Sequence, residues 1–163
     1  MNCRWSAGLL FVVAGCLSAA SASAADRVAS RYGDLSAARR DEGTFVIALN
    51  AKPVAEVVAD EVSLYRVTPH GDTDYIVVEL WQPGLNCHHS YVVLALHPAG
   101  KVEKSRVFGE CSDLSAATHV HGGVQVELRP VVQPDASGTF LEHYLVSGGK
   151  VTKQRLPRST AKP

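Results

Sequence analysis

The chain lacks an excess of either charge: Lys plus Arg and Asp plus Glu both number 16 in 163 residues. With 46% hydrophobic and 20% charged residues, that balance excludes a disordered polyelectrolyte, a collagen and a basic nucleic-acid-binding domain. A long hydrophobic run is also missing, since the one apolar stretch, at the N-terminus, is too short to span a bilayer. No strand-turn-helix Gly-x-Ser-x-Gly, no His-Glu-x-x-His and no phosphate-cradling glycine loop occurs. The acids are scattered, with no pair spaced for acid-base work. Cys87-His88 and Glu142-His143 are badly placed as reactive couples, because neighbours on a strand face opposite ways. The expectation is a protein without catalysis and without a cofactor.

What is present begins with an address. Met1 to Ser6 carries Arg4, an apolar stretch runs from Ala7 to Leu17, and small residues follow through Ala25, with Ala22-Ser23-Ala24 as a small-x-small cleavage site. This is the order of a secretory signal peptide over residues 1–25. Its removal leaves 138 residues with a net charge of −1, enough for one domain and too few for two. Val13-Ala14-Gly15-Cys16 competes for the same residues, because it resembles a lipobox, in which Cys16 would be acylated and tether the domain to a membrane. Cleavage ahead of Asp26 is the first reading, since the alanine-serine region is well formed and Val is not the commonest residue at its lipobox position. The expected location is the periplasm or the medium, or the outer membrane if Cys16 is lipidated.

Either route leaves Cys87 and Cys111 as the only ordinary cysteines of the exported chain. In an oxidising compartment each has one intramolecular partner, and closing that loop would stabilise the fold by about 3 kcal/mol. A free reactive thiol at Cys87 is the alternative.

Residues 26–43 mix charge, alanine and glycine, and Val28, Tyr32 and Leu35 have the spacing of a short helix; a linker or short helix is expected there. From Thr44 the period is two. Phe45, Ile47 and Leu49 alternate with their neighbours, Asn50-Ala51-Lys52-Pro53 is a turn, and further strands follow at Val54 to Ala59 and Val62 to Tyr65. Tyr75 to Trp81 is apolar on both faces, the mark of a central strand. Another strand runs from about His88 to Leu96, and the charges of Val102 to Phe108 suggest an edge. Ser112 to Ala117 reads as a polar loop. Two strands flank His121-Gly122-Gly123, Gln133 to Gly138 is a loop, and a hairpin of Thr139 to Val146 and Val151 to Gln154 closes the pattern. The spacing predicts an all-β domain over 44–155, a single antiparallel sandwich or barrel of about nine or ten short strands with one disulfide, followed by a basic flexible tail at 156–163.

Around the cysteines the text is more specific: Asn86-Cys87-His88-His89-Ser90-Tyr91, and Phe108-Gly109-Glu110-Cys111-Ser112-Asp113. This resembles small uncharacterised exported proteins of proteobacteria, in which a Cys opens an aromatic-bearing strand and a second Cys follows a Phe-Gly pair and precedes Ser-Asp. The resemblance spans Thr44 to Leu128. It implies an all-β exported domain with a Cys87 to Cys111 bridge and carries no activity; the His88-His89 pair departs from it.

His88, His89, His119 and His121 invite a copper or zinc reading. A two-residue Gly122-Gly123 loop would put both His119 and His121 on the apolar face of Val124, Val126 and Leu128, whereas a three-residue loop from His121 would put His119 with Gln125 and Glu127 on the wet face. The second register keeps like with like and weakens a metal site. The expected function is therefore an exported, non-catalytic binding module of the envelope, of inhibitor or immunity type, with a protein or envelope ligand as partner and no nucleic acid. Contact with a membrane is expected only through Cys16. A periplasmic metal-binding protein is the alternative. The contact loop is expected at Trp81 to Asn86, with Trp81 and Leu85 as its apolar residues and Cys87 holding it stiff.

Overall fold

The computed structural model describes residues 26–82, 88–131 and 141–154. They contain β1 (Asp26–Ser30), β2 (Gly33–Asp41), β3 (Thr44–Leu49), β4 (Lys52–Val58), β5 (Glu61–Arg66), β6 (Asp74–Trp81), β7 (His89–Leu96), β8 (Val102–Lys104), β9 (Ser112–Val120), β10 (Gly123–Pro130), β11 (Glu142–Ser147) and β12 (Lys150–Gln154). These form three antiparallel four-stranded sheets, β1 to β4, β5 to β8 and β9 to β12, each a simple meander. Tight turns make the meanders. Asn50 and Ala51 have φ of 51° and 65°, the doubly left-handed pair of a hairpin turn that matches strand twist. The Asn50 side chain ties that turn to the neighbouring β1–β2 turn, accepting from Asp34 N–H at 3.1 Å and donating to Tyr32 C=O at 3.0 Å.

The middle sheet is buried on both faces. Ile76, Val78, Leu80, Val92, Leu94 and Leu96 pack against Leu35, Ile47, Leu49 and Val57 of the first sheet. Their alternates Tyr75, Val77, Tyr91, Val93 and Ala95 pack against Val124, Val126, Leu128, Tyr144 and Val146 of the third. Period-two alternation with both phases apolar thus produces three stacked layers and two cores. The all-β expectation holds, but three four-stranded sheets with open edges stand in place of the expected single sandwich or barrel, and no barrel closes among the described residues.

At one edge of the first core lies Asp74, wholly buried. Its Oδ1 accepts from Arg31 Nε at 2.6 Å, and its Oδ2 accepts from the Arg31 amide at 2.8 Å and from Arg66 Nη2 at 3.3 Å. Burial pushes the carboxyl upward, but these hydrogen bonds and the two guanidinium charges outweigh burial and hold it below the usual carboxylate range. The β1–β2 turn is thereby tied to the middle sheet.

Three expectations are corrected. Residues 26–43 are neither linker nor helix: they form β1 and β2, whose inward positions Leu35 and Ala37 are fully buried, so they belong to the folded sheets and the described residues hold twelve strands. Ser112 to Ala117 is no loop but the first part of β9, an outer strand of the third sheet whose Leu114 and Ala117 pack against the second core. The turn after β9 is the two-residue His121-Gly122, with Gly122 at φ 78°. Neither expected register occurs, because one residue of slip pairs Val124 with His119 and brings His119 to the inner face. The leader 1–25 with Cys16, the loop 83–87 with Leu85 and Cys87, and the tail 156–163 lie outside the described residues.

Candidate functional site

The first and second sheets diverge at one corner, leaving an open cleft of about 810 Å³. Its floor is the first core itself, through Val57, Leu80 and Val92. Its walls are β4 on one side and the chain from Lys104 to Glu110 on the other. Each wall carries an exposed valine, Val58 at 66% and Val107 at 51% of full exposure. Val107 stands out because the wall is bulged: Ser105 N–H bonds to Val93 C=O at 2.9 Å and Phe108 N–H to Tyr91 C=O at 3.0 Å. Three steps on this chain match two on β7, and Arg106 and Val107 are pushed out of the ladder.

Side chains bridge the cleft. Lys104 Nζ donates to Glu56 C=O at 2.9 Å and Gln82 Nε2 to Val58 C=O at 3.2 Å. Arg40 Nη1 pairs with Glu56 at 2.7 Å. Lys104 and Arg106, by contrast, make hydrogen bonds to main-chain carbonyls, Arg106 to Val151 at 3.1 Å, and neither has a carboxylate partner among the described residues. The cleft therefore combines an apolar floor with a rim on which positive charge is incompletely matched.

Behind the cleft, on the opposite face of the middle sheet, Glu79 gathers three side chains. Its Oε1 lies 2.9 Å from His89 Nδ1 and 3.1 Å from the Tyr91 hydroxyl, and its Oε2 accepts from Tyr65 OH at 2.7 Å. The Tyr91 hydroxyl lies closer to Ser112 C=O, at 2.8 Å, so its one proton is shared between two acceptors. Burial, reinforced by the Glu79 charge, pushes the Tyr91 phenol far up, so it stays a neutral donor. The hydrogen bond to Glu79 raises Tyr65 as well, with burial second. His89 Nε2 stands 4.0 Å from Asp113 Oδ1. Both oxygens of Glu79 are occupied, and the cluster joins β5, β6 and β7 to the start of β9.

The expected site residues are placed unevenly. Trp81 ends β6, half-buried, paired with Glu61 and His89, its ring 6.2 Å from that of His88. It shares the face of Glu79, turned from the cleft floor that Leu80 forms. Cys111 has φ 61°, a left-handed conformation for a residue with a side chain. Its N–H bonds to His89 C=O at 3.1 Å and its C=O accepts from Val131 at 2.8 Å. The four histidines are dispersed: His88 and His89 lie at the cleft end, His119 packs on His70 and Tyr75 with ring separations of 5.1 and 5.5 Å, and His121 is in its turn. Among the described residues no group of three or more His, Cys, Asp and Glu is arranged to hold a metal ion. Sequence reasoning missed Glu79, Lys104 and Val107, and had Gln82 only as a member of the expected contact loop. Two of those missed had a signal: Glu79 is the one charge inside an apolar central strand, and Val107 follows a run of charged residues.

No family model, curated protein or solved structure matches this chain.

Proposed function

We propose that the protein is an exported, non-catalytic binding module of the cell envelope, of inhibitor or immunity type, and that it engages a partner protein through the cleft between β4 and Lys104–Glu110. The observation that carries this is the cleft's composition: a core-like apolar floor, exposed Val58 and Val107 on opposite walls, and a charged rim. Such a surface, with an apolar centre inside a polar border, is what protein recognition uses. The leader over residues 1–25 supplies the address in this reading.

A Cys87 to Cys111 bridge is part of the proposal. Cys87 is the one other cysteine after residue 25, and Cys111 N–H donates to the C=O of His89, two residues from Cys87 in the sequence, at 3.1 Å. In this reading the bridge holds the end of the expected Trp81 to Asn86 contact loop stiff, and non-reducing peptide mapping reads it directly.

The functional test is site-specific photo-crosslinking in an envelope extract. A photoreactive residue at Val107 is expected to give one discrete adduct, weakened by Val58→Glu. The same residue at Ala38, exposed on the outer face of β2, is expected to give none. Equal labelling at both positions, or none at Val107, would reject the reading.

A further inference from the structure

We propose that the cleft receives an extended, acidic segment of its partner, added as a fifth strand to the first sheet along the free edge of β4. This rests on the cleft being the binding surface and states how it binds. β4 is the last strand of its sheet. Val57 pairs with Phe45 and Val58 with Thr44, and Ala59 N–H bonds to Gly43 C=O at 3.0 Å. By antiparallel alternation Val57 and Ala59 direct their main-chain groups to β3, whereas Glu56 and Val58 direct theirs outward.

Strand edges are normally blunted by proline, bulges or covering chain. β4 has Pro53 and a bulge at its start, so the edge is open only toward its end. There the two outward carbonyls are covered by the tips of two long side chains from the second sheet, Lys104 Nζ on Glu56 and Gln82 Nε2 on Val58. Main-chain N–H groups of an incoming strand can replace those donors one for one, and the outward N–H groups of Glu56 and Val58 can bond its carbonyls. Side chains of the added strand that point inward meet Leu80, Val92 and Val107, which selects apolar residues at alternate positions. Charge selects the rest. Displacement from Glu56 C=O leaves the Lys104 ammonium without its acceptor, Arg106 has no carboxylate partner among the described residues, and Glu56 is already matched by Arg40. An acidic segment satisfies both cations, and a basic one adds to the repulsion.

The experiment is amide NMR on the oxidised protein, titrated with a capped hexapeptide of alternating valine and glutamate, its valine-lysine counterpart, and two versions of the first N-methylated on alternate residues in opposite phases. Expected are saturable shifts at the Glu56 and Val58 amides with the glutamate peptide, little effect from the lysine peptide, and binding by one methylated phase but not the other. Val58→Pro removes an outward N–H without touching the β3 ladder, and should weaken binding about tenfold, the loss of one main-chain hydrogen bond. If that variant does not fold, the two methylated phases decide. Equal binding by both phases, or shifts at Leu80 and Val92 without Glu56 and Val58, would overturn strand addition while leaving the cleft as a binding surface. No shift with any peptide at millimolar concentration overturns the inference, and the Val107 adduct then judges the broader reading separately.

Discussion

The two cores are built on opposite principles although they share one sheet. The core between the first and middle sheets is aliphatic: its fully buried members are Leu, Ile, Val and Ala. The core between the middle and third sheets includes Tyr75, Tyr91, Phe108 and Tyr144, with Phe108 and Tyr144 ring centroids 5.0 Å apart. Aliphatic packing is non-directional, so the first pair of sheets can diverge at a corner without breaking any bond, and that corner is the cleft. Aromatic packing brings hydroxyls that need partners. The second pair is tied by Tyr91, whose hydroxyl lies between Glu79 of the middle sheet and Ser112 of the third, while the Tyr144 hydroxyl is satisfied within β11 by Glu142 at 2.6 Å.

Mutations should separate these principles. Leu94→Ala, at the fully buried centre of the first core, should have the largest effect, a loss of about 3 to 4 kcal/mol in urea unfolding, as transfer and cavity terms add. Gly109→Ala attacks the second core through its main chain. Gly109 has φ 71°, and a Cβ there would overlap Leu128 Cδ1 and press on Tyr91, so a loss of about 2 to 4 kcal/mol is expected from backbone strain plus overpacking. That Phe-Gly pair is therefore explained by the packing it permits.

Asp74→Asn tests the polar anchor at the edge of the first core, with an expected loss of about 2 to 3 kcal/mol near neutral pH, the scale of hydrogen bonds to a charged group. Because the folded carboxyl lies below its ordinary value, its contribution is complete above the unfolded pKa of about 3.9 and fades as pH falls through the folded value. The gap between wild type and variant should close on acidification, followed by circular dichroism; a gap that widens in acid would contradict the anchor. Tyr91→Phe should show the smallest effect of the four, about 1 to 2 kcal/mol, since it removes one hydroxyl and leaves the ring in place. If its loss matched that of Leu94→Ala, the contrast between the cores would fail.

The strands from Thr44 onward were legible because their apolar residues alternate, and Tyr75 to Trp81 announced a doubly buried strand by being apolar in both phases. β1 and β2 were hidden by alanine: Leu35 and Ala37 alternate correctly, but Ala38, Arg39 and Arg40 beside them dilute the pattern, and Val28, Tyr32 and Leu35 imitate a helical spacing. β9 was masked by Asp113, Ser115 and Thr118, normal for the wet face of an outer strand. The cleft was illegible for a different reason. It depends on Lys104 and Gln82 reaching β4 across many residues of chain, and such reach is a property of how sheets diverge, which no local period encodes. The His119 register failed by one residue, the margin at which a period of two changes face.

The meander topology has a consequence for how the molecule is made. Among the described residues every hydrogen-bonded strand pair joins strands consecutive in the chain, so each sheet closes only short loops and can form in order as the chain is made. The middle sheet then waits with its Tyr91 and Val93 face uncovered until β10 to β12 have followed, which makes the interval between the second and third sheets the aggregation-prone stage of folding. A chain stopped before β9 should be the form that chaperones hold longest.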